Sequence, residues 1–299
     1  MNRDIGRNAL AVPARSHAAS ENGDARTMGA ILVDEGRLTL KEAELILETQ
    51  KREDIQFGDA AIKLGLLTPV DVQRALALQF NYAYVLPGSS GLSKELIAAH
   101  APFSVEVERM RALRSQLILR RFGSSAGNAL AIVSASTGEG KSYLAANLAI
   151  VFSQLGERTL LIDADLRHPQ QHVLFKVANS AGLSTVLAGR VDGPVVQQIN
   201  HFRDLSVLTA GPIPPNPLEL LQRHTFANAL EEWSRDFDVI LIDTPTAKDN
   251  ADAVTVVAAA RGALLVVRKN RTRARDVIEL RDQLAVTGAQ LVGSVLTES

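Results

Sequence analysis

Nine residues, Ser134-Ala-Ser-Thr-Gly-Glu-Gly-Lys-Ser142, carry the strongest chemical signal in the chain. An apolar run at 129–133 feeds them and an alanine-rich helical stretch follows, which is the setting of a phosphate-binding loop. Gly138 and Gly140 let the backbone turn so that successive N–H groups face phosphate oxygens, and the helix behind adds the positive end of its dipole. On this reading Thr137, Gly138, Glu139, Gly140, Lys141, Ser142 and Tyr143 form a nucleotide cradle. Lys141 reaches the β- and γ-phosphates and Ser142 ligates Mg²⁺. The pattern G-x-x-x-x-G-K-[ST] lacks its first glycine, where Ala135 stands, but the glycines nearest the phosphates are present.

Two further apolar runs end in carboxylates. Leu160-Leu-Ile-Asp-Ala-Asp-Leu-Arg167 places Asp163 and Asp165 on one side of an extended chain, and Val239-Ile-Leu-Ile-Asp-Thr-Pro245 ends in Asp243. In open parallel sheets, ligands bind beyond the carboxyl ends of the strands. Three acidic groups converging there suit phoshoryl transfer, because they position a metal and accept the nucleophile's proton. Each aspartate alone is equally well read as the cap of a strand-to-helix turn.

These residues need a scaffold, and the sequence outlines one. Apolar strands are expected at 129–133, 159–162, 205–208, 239–242, 263–267 and 291–295, with helices at 141–155, 218–234 and 274–286 between them. Unbroken apolar strands are buried on both faces, which means a mostly parallel sheet flanked by helices, an α/β fold. The 299 residues, 46% of them hydrophobic, suffice for about two domains. A net charge of −1 implies no nucleic-acid partner. Cysteine is absent, so thiolate metal sites and cysteine nucleophiles are excluded. No apolar run approaches the 18 residues of a membrane span. Residues 1–26 are polar and read as a disordered, cytoplasmic lead without a signal peptide.

From 27 to 79 the chain repeats itself at an offset of 29, matching Gly29 with Gly58, Gly36 with Gly65, Leu38 with Leu67, Thr39 with Thr68, Leu47 with Leu76 and Gln50 with Gln79. Each unit reads as a short helix, a glycine turn, an N-cap threonine and an amphipathic helix. The expected organisation is therefore a lead at 1–26, a small all-helical repeat domain at 27–86, a linker at 87–104 and the α/β domain at 105–299, which a charged helix at 105–121 opens.

The motif Asp163-x-Asp165-x-Arg167, the run Gly211-Pro-Ile-Pro-Pro-Asn-Pro-Leu-Glu-Leu-Leu221 and the helix Glu108-x-x-Arg111-x-x-Arg114 resemble the bacterial tyrosine kinases of capsule and exopolysaccharide export, a branch of the P-loop NTPases. Partition ATPases of the same superfamily carry an early second lysine in the loop, where this chain has Ser136. Within the branch the chain is most similar to the EpsG-type chain-length-determinant kinases. The resemblance implies ATP and Mg²⁺ as cofactors, catalytic roles for Lys141, Asp163, Asp165, Arg167 and Asp243, with Asp163 the base and Arg167 on transferred charge, and metal positioning by Ser142, Asp165 and Asp243. It also implies a homo-oligomeric ring built through Glu108, Arg111 and Arg114, although a solvated basic stripe explains those arginines equally well. A membrane-spanning polysaccharide chain-length regulator, or co-polymerase, is the implied partner, with the kinase peripheral at the inner face of the cytoplasmic membrane. The family's terminal tyrosine cluster has no counterpart before Ser299, which leaves Tyr82 and Tyr84 as the available self-targets, although packing against the repeat domain is the favoured reading of both, and Tyr143 is read as packed.

The repeats are similar to the cyclic-di-GMP-binding MshEN domains at the N-termini of type II secretion and pilus ATPases. Gly29, Leu38, Gln50, Gly58, Leu67 and Gln79 stand at that motif's positions, but Thr27 and Gln56 replace its leading arginines, and Arg26 is the available substitute. A dinucleotide site and a structural or docking module are both open. Three functions follow: a tyrosine kinase controlling polysaccharide chain length, polymerisation or export, an ATP-hydrolysing assembly switch of the same machinery, and a non-enzymatic scaffold that senses cyclic-di-GMP.

Overall fold

The computed structural model describes residues 27–79, 83, 85, 91–123, 127–191, 193–248 and 250–298. The lead at 1–26, Tyr82, Tyr84 and residues 86–90 lie outside this set. The chain divides into two compact units, one carrying the described residues up to 85 and the other those from 91 onward.

The first unit is made of helices α1 (Met28–Asp34), α2 (Leu40–Glu53), α3 (Phe57–Lys63) and α4 (Pro69–Gln79). The repeat threonines act as N-caps: Thr39 and Glu42 form a reciprocal capping box, and Thr68 and Asp71 exchange the same bonds. Gly36 and Gly65 end the short helices with φ of 68° and 69°, a left-handed turn that a side chain resists. Leu32, Leu38, Ile46, Ala60, Leu67 and Ala75 form the core, so Leu38 and Leu67 are packing residues.

The second unit is built on a seven-stranded sheet. Its strands are β1 (Ala129–Ser134), β2 (Thr159–Asp163), β3 (Gln197–Gln198), β4 (Leu205–Leu208), β5 (Val239–Asp243), β6 (Gly262–Arg268) and β7 (Gln290–Thr297). They lie in the order β3-β4-β2-β5-β1-β6-β7, parallel except for the β3–β4 pair. The two-residue β3 had no apolar signature and was not expected from the sequence.

Ahead of the sheet come α5 (Ile97–His100) and α6 (Val105–Leu117), which continues into a π-helical turn at Ile118–Phe122. Within it lie α7 (Lys141–Ser153), α8 (Gln171–Phe175), α9 (Leu183–Leu187), α10 (Pro217–Leu221), α11 (His224–Asp236), α12 (Asp252–Ala260) and α13 (Ala274–Ala285). Successive side chains of a strand point to opposite faces. Ala131 and Val133, Leu160 and Ile162, and Ile240 and Ile242 accordingly join one core with Phe226, Trp233, Val256 and Leu280 of α11 to α13. The other face is covered by α7, against which α5 and α6 pack.

Two expectations are corrected. The helix read across 218–234 is broken into α10 and α11 by a turn at Gln222–Arg223. The end of the expected linker, 91–104, is docked on α7. Buried Asn147 accepts the Ala98 N–H at 2.9 Å and donates to the Glu95 carbonyl at 3.1 Å, while Gln154 donates to the Ala98 carbonyl. The polar side chains that hold this segment sit on a distant helix, beyond the reach of a local reading of glycine and serine content.

At the β4 end, the Leu183 and Ser184 N–H groups donate to the Thr209 and Ala210 carbonyls. A Cβ at Gly182 would lie 2.2 Å from the Thr209 oxygen and 2.4 Å from the Gly211 nitrogen, both backbone. Gly182→Ala should therefore destabilise the protein by about 1–3 kcal/mol, read as a lower urea midpoint with an unchanged slope. An unchanged midpoint would mean that this junction is not closely packed.

Candidate active site

The glycines of the loop after β1 adopt the conformations that their positions demand. Gly138 has φ of 74° and Gly140, the N-cap of α7, has φ of 91°. Ala135 is not among the residues with positive φ, so alanine is tolerated where the pattern has glycine. Behind Gly140, Lys141 is 7% exposed at the start of α7. A cavity of about 360 Å³ opens over the helix N-terminus, walled by Thr137, Gly138, Gly140, Lys141, Ser142, Tyr143, Asp165, Arg167, His168, Gln170, Pro245, Thr246 and Asn250. Backbone N–H groups and a lysine at a helix N-terminus bind anionic oxygens.

Glu139, expected in the cradle, turns away from this cavity and is fully buried. Its carboxylate accepts the Ser136 N–H at 3.1 Å and the Thr272 hydroxyl at 2.5 Å. Arg268 donates to the Gly138 carbonyl at 2.8 Å and Thr297 to the Glu139 carbonyl at 2.9 Å. The loop is thus braced from the ends of β6 and β7, by residues whose distance in sequence hid them.

The aspartates gather beside it. Register sets Asp163 of β2 opposite Asp243 of β5. Asp163 is fully buried and accepts N–H groups from Asp165, Gln170 and Gln171 at 3.2, 3.0 and 2.9 Å, and it is not part of the cavity wall. Burial and the neighbouring Asp243 charge raise its pKa. Asp165 does reach the wall, and its Oδ1 accepts the Arg167 and His168 N–H groups. Asp243 is fully buried, and burial outweighs the Lys141 charge and bonds from Ser142 and Gln171, pushing its pKa up to about 6.

Gln171, unmarked by any motif, is the residue the sequence reading missed most. Its Nε2 donates to Asp243 Oδ2 at 2.8 Å and to the Ser142 carbonyl at 3.2 Å, and its backbone N–H caps Asp163. Asp243 Oδ1 and Gln171 Oε1 are buried acceptors without a hydrogen-bond partner among the described residues. Arg167 lines the cavity but is paired with Asp252, a second residue that no pattern flagged. Tyr143 is half-buried on the wall, with its hydroxyl pKa raised by burial and by Glu106 and Glu95.

The donor set fits Mg²⁺. The Ser142 hydroxyl, the Asp165 carboxylate and the Asp243 carboxylate, one oxygen of which has no hydrogen-bond partner among the described residues, are the hard oxygen donors that would hold it. Among the described residues no group of three or more histidine, cysteine, aspartate or glutamate side chains is placed to hold a metal ion by itself.

Two other expected sets are placed elsewhere. Glu108 is exposed and pairs with Arg111 at 2.8 Å, while Arg111 donates to the Pro102 carbonyl and Arg114 to the Val151 carbonyl, so both arginines hold α6 within the chain. In the first unit, Gly29, Gln50, Gly58 and Gln79 meet on a cavity of about 740 Å³, together with the repeat-related pairs Thr27 with Gln56 and Met28 with Phe57. Leu38 and Leu67 do not line it. Among its described lining residues the one charged side chain is Asp34.

Comparison with known proteins gives a consistent result. Residues 130–295 match the CobQ/CobB/MinD/ParA nucleotide binding domain. The chain is 35% identical over 207 residues to the tyrosine-protein kinase YwqD of Bacillus subtilis, covering 69% of this chain and 87% of that one. It is 32% identical over 203 residues to a tyrosine-protein kinase named for the cps region of Klebsiella pneumoniae, covering 68% of this chain and 28% of that longer protein. The solved kinase domain of the Escherichia coli tyrosine kinase ETK superposes with a TM-score of 0.66 at 32% identity, over 70% of this chain and 82% of that one.

The Asp243 shift has a consequence for stability. With its native pKa near 6 and an ordinary value of 3.8, the folded state binds more protons between those limits, so stability from this group falls as pH rises through the window and stays lost above it. Metal- and nucleotide-free Asp243→Asn should therefore gain melting temperature over wild type, more at pH 8 than at pH 5. Equal gains at both pH values would contradict the shift.

Proposed function

The chain belongs to the bacterial tyrosine-protein kinases, and from that premise we propose that it transfers the γ-phosphate of ATP to tyrosine hydroxyls in control of exopolysaccharide chain length, polymerisation or export. The observation that carries this reading is the convergence of the phosphate loop, Asp165 and Arg167 on one cavity, with Asp163 and Asp243 buried at the same sheet edge. The kinase named for the cps region supports the polysaccharide setting.

In this proposal Lys141 and the N–H groups around Gly138 and Gly140 hold the β- and γ-phosphates, and Ser142, Asp165 and Asp243 hold Mg²⁺. The cation, when bound, offsets charge on the phosphate oxygens. The tyrosine oxygen forms a bond to the γ-phosphorus as the bond to the bridging oxygen of ADP breaks. The phenolic proton passes to a carboxylate oxygen of Asp163, the base of this proposal, whose raised proton affinity favours general-base work, while Asp165 of the same turn faces the cavity. Arg167 meets the charge on the transferred group. Acceptors are tyrosines of a membrane-spanning co-polymerase partner or Tyr82 and Tyr84.

The proposed partner is a membrane-spanning polysaccharide chain-length regulator. No helix among the described residues is long and apolar enough to cross a membrane; attachment at the inner face of the cytoplasmic membrane through that partner is part of the proposal. The exposed Glu108 on α6 is proposed as a contact in a homo-oligomeric ring. For the first unit, the meeting of repeat-related pairs on one cavity supports a ligand site, with cyclic-di-GMP as the candidate ligand.

Purified protein with Mg-ATP and the partner's cytoplasmic segment should yield phosphotyrosine by mass spectrometry, with Lys141→Met as the blank. ADP release without phosphotyrosine would replace the kinase by a hydrolysis-driven switch. In calorimetry, cyclic-di-GMP should bind the full chain and lose that binding in the double variant Gln50→Ala/Gln79→Ala. Absence of heat with the wild type would leave the first unit a structural or docking module.

A further inference from the structure

Asp252 opens α12 and is completely buried. Its carboxylate accepts Arg167 Nε at 2.7 Å on one oxygen and Nη2 at 3.3 Å on the other, a two-point grip that fixes the plane of the guanidinium as well as its position. Arg167 is one-third exposed and forms part of the wall of the phosphate cavity. Its Nε and Nη2 edge is taken by Asp252, which leaves the Nη1 side of the guanidinium outside that grip. The same turn is tied down at its other end, where the Arg167 N–H donates to Asp165 Oδ1.

A buried carboxylate left without a cation is strongly unfavourable, so Asp252 holds Arg167 firmly. The start of α12 contributes too, since a helix N-terminus favours a negative charge. The segment between β5 and α12 supplies Pro245, Thr246 and Asn250 to the cavity. Asp252 therefore links the wall that follows Asp243 to the wall that follows Asp163, through Arg167.

We propose that Asp252 is a positioning residue of the kinase, clamping the Nε and Nη2 edge of Arg167 so that its remaining N–H groups are presented to the transferred phosphate. This rests on the reading that Arg167 acts on transferred charge. A clamp of this kind acts on the transition state and leaves ground-state nucleotide binding nearly untouched.

The test uses the full chain in Mg-ATP phosphorylation assays with Asp252→Asn, Arg167→Ala and the double variant. Asp252→Asn should lower kcat by about tenfold to a hundredfold, with KM for ATP and ADP affinity changed less than about threefold. Arg167→Ala should lose at least as much, and the double variant no more than Arg167→Ala alone. Additive losses, or a kcat for Asp252→Asn within about twofold of wild type, overturn the clamp. Wild-type kcat in Arg167→Ala instead overturns the underlying role of Arg167. Should Asp252→Asn fail to fold, Arg167→Lys keeps the charge, loses the fork and is expected to show the same kcat-only loss, with full activity counting against the proposal.

Discussion

Parallel pairing of β2, β5 and β1 is the constraint on which the site depends. Because the three strands run side by side in the same direction, their carboxyl ends reach one edge, where Asp163, Asp243 and the phosphate loop emerge together. Two carboxylates are thereby forced into each other's neighbourhood without water. Burial raises the pKa of both, and the surroundings answer with N–H groups from the α8 start, the Gln171 amide and the Lys141 charge. The cost of burying acids at that edge is offset only in part by these bonds, and one Asp243 oxygen has no hydrogen-bond partner among the described residues. Such strain against stability is common where activity needs a destabilised site.

The loop itself is not a free-standing turn. Its apex is fastened to β6 and β7 by Arg268, Thr272 and Thr297, with Glu139 as the buried link. Its exit helix is fastened on the opposite side to α5 through Asn147. Geometry at the phosphates is therefore shared among elements far apart in the chain, and an edge strand, β7, has direct contact with the loop backbone. Pre-organisation of N–H donors in this way lets them act without rearrangement when charge develops.

The two units follow different physical rules. In the α/β unit, sheet register brings residues together. In the helical unit, duplication does so: the same turn glycine, the same cap and the same core leucine recur at an offset of 29, so two copies of one local solution pack together. Gly58 shows the packing demand, since a Cβ there would meet Val72 at 2.7 Å. That one glycine serves close helix contact as well as lining the cavity.

Much of this was readable in the amino-acid order because its causes are local. The glycines of the loop, the apolar strands ending in aspartate and the threonine caps each follow from the conformational or burial preference of a few neighbouring residues. The α/β class, the phosphate loop and the helical repeats accordingly follow from sequence alone. Glu139 turning inward, Gln171 joining Asp243 to the loop, Asp252 gripping Arg167 and the docking of 91–104 were decided only in three dimensions. Each depends on partners from 3 to 133 positions apart, and a buried polar side chain takes whichever donor or acceptor the packed fold brings within reach.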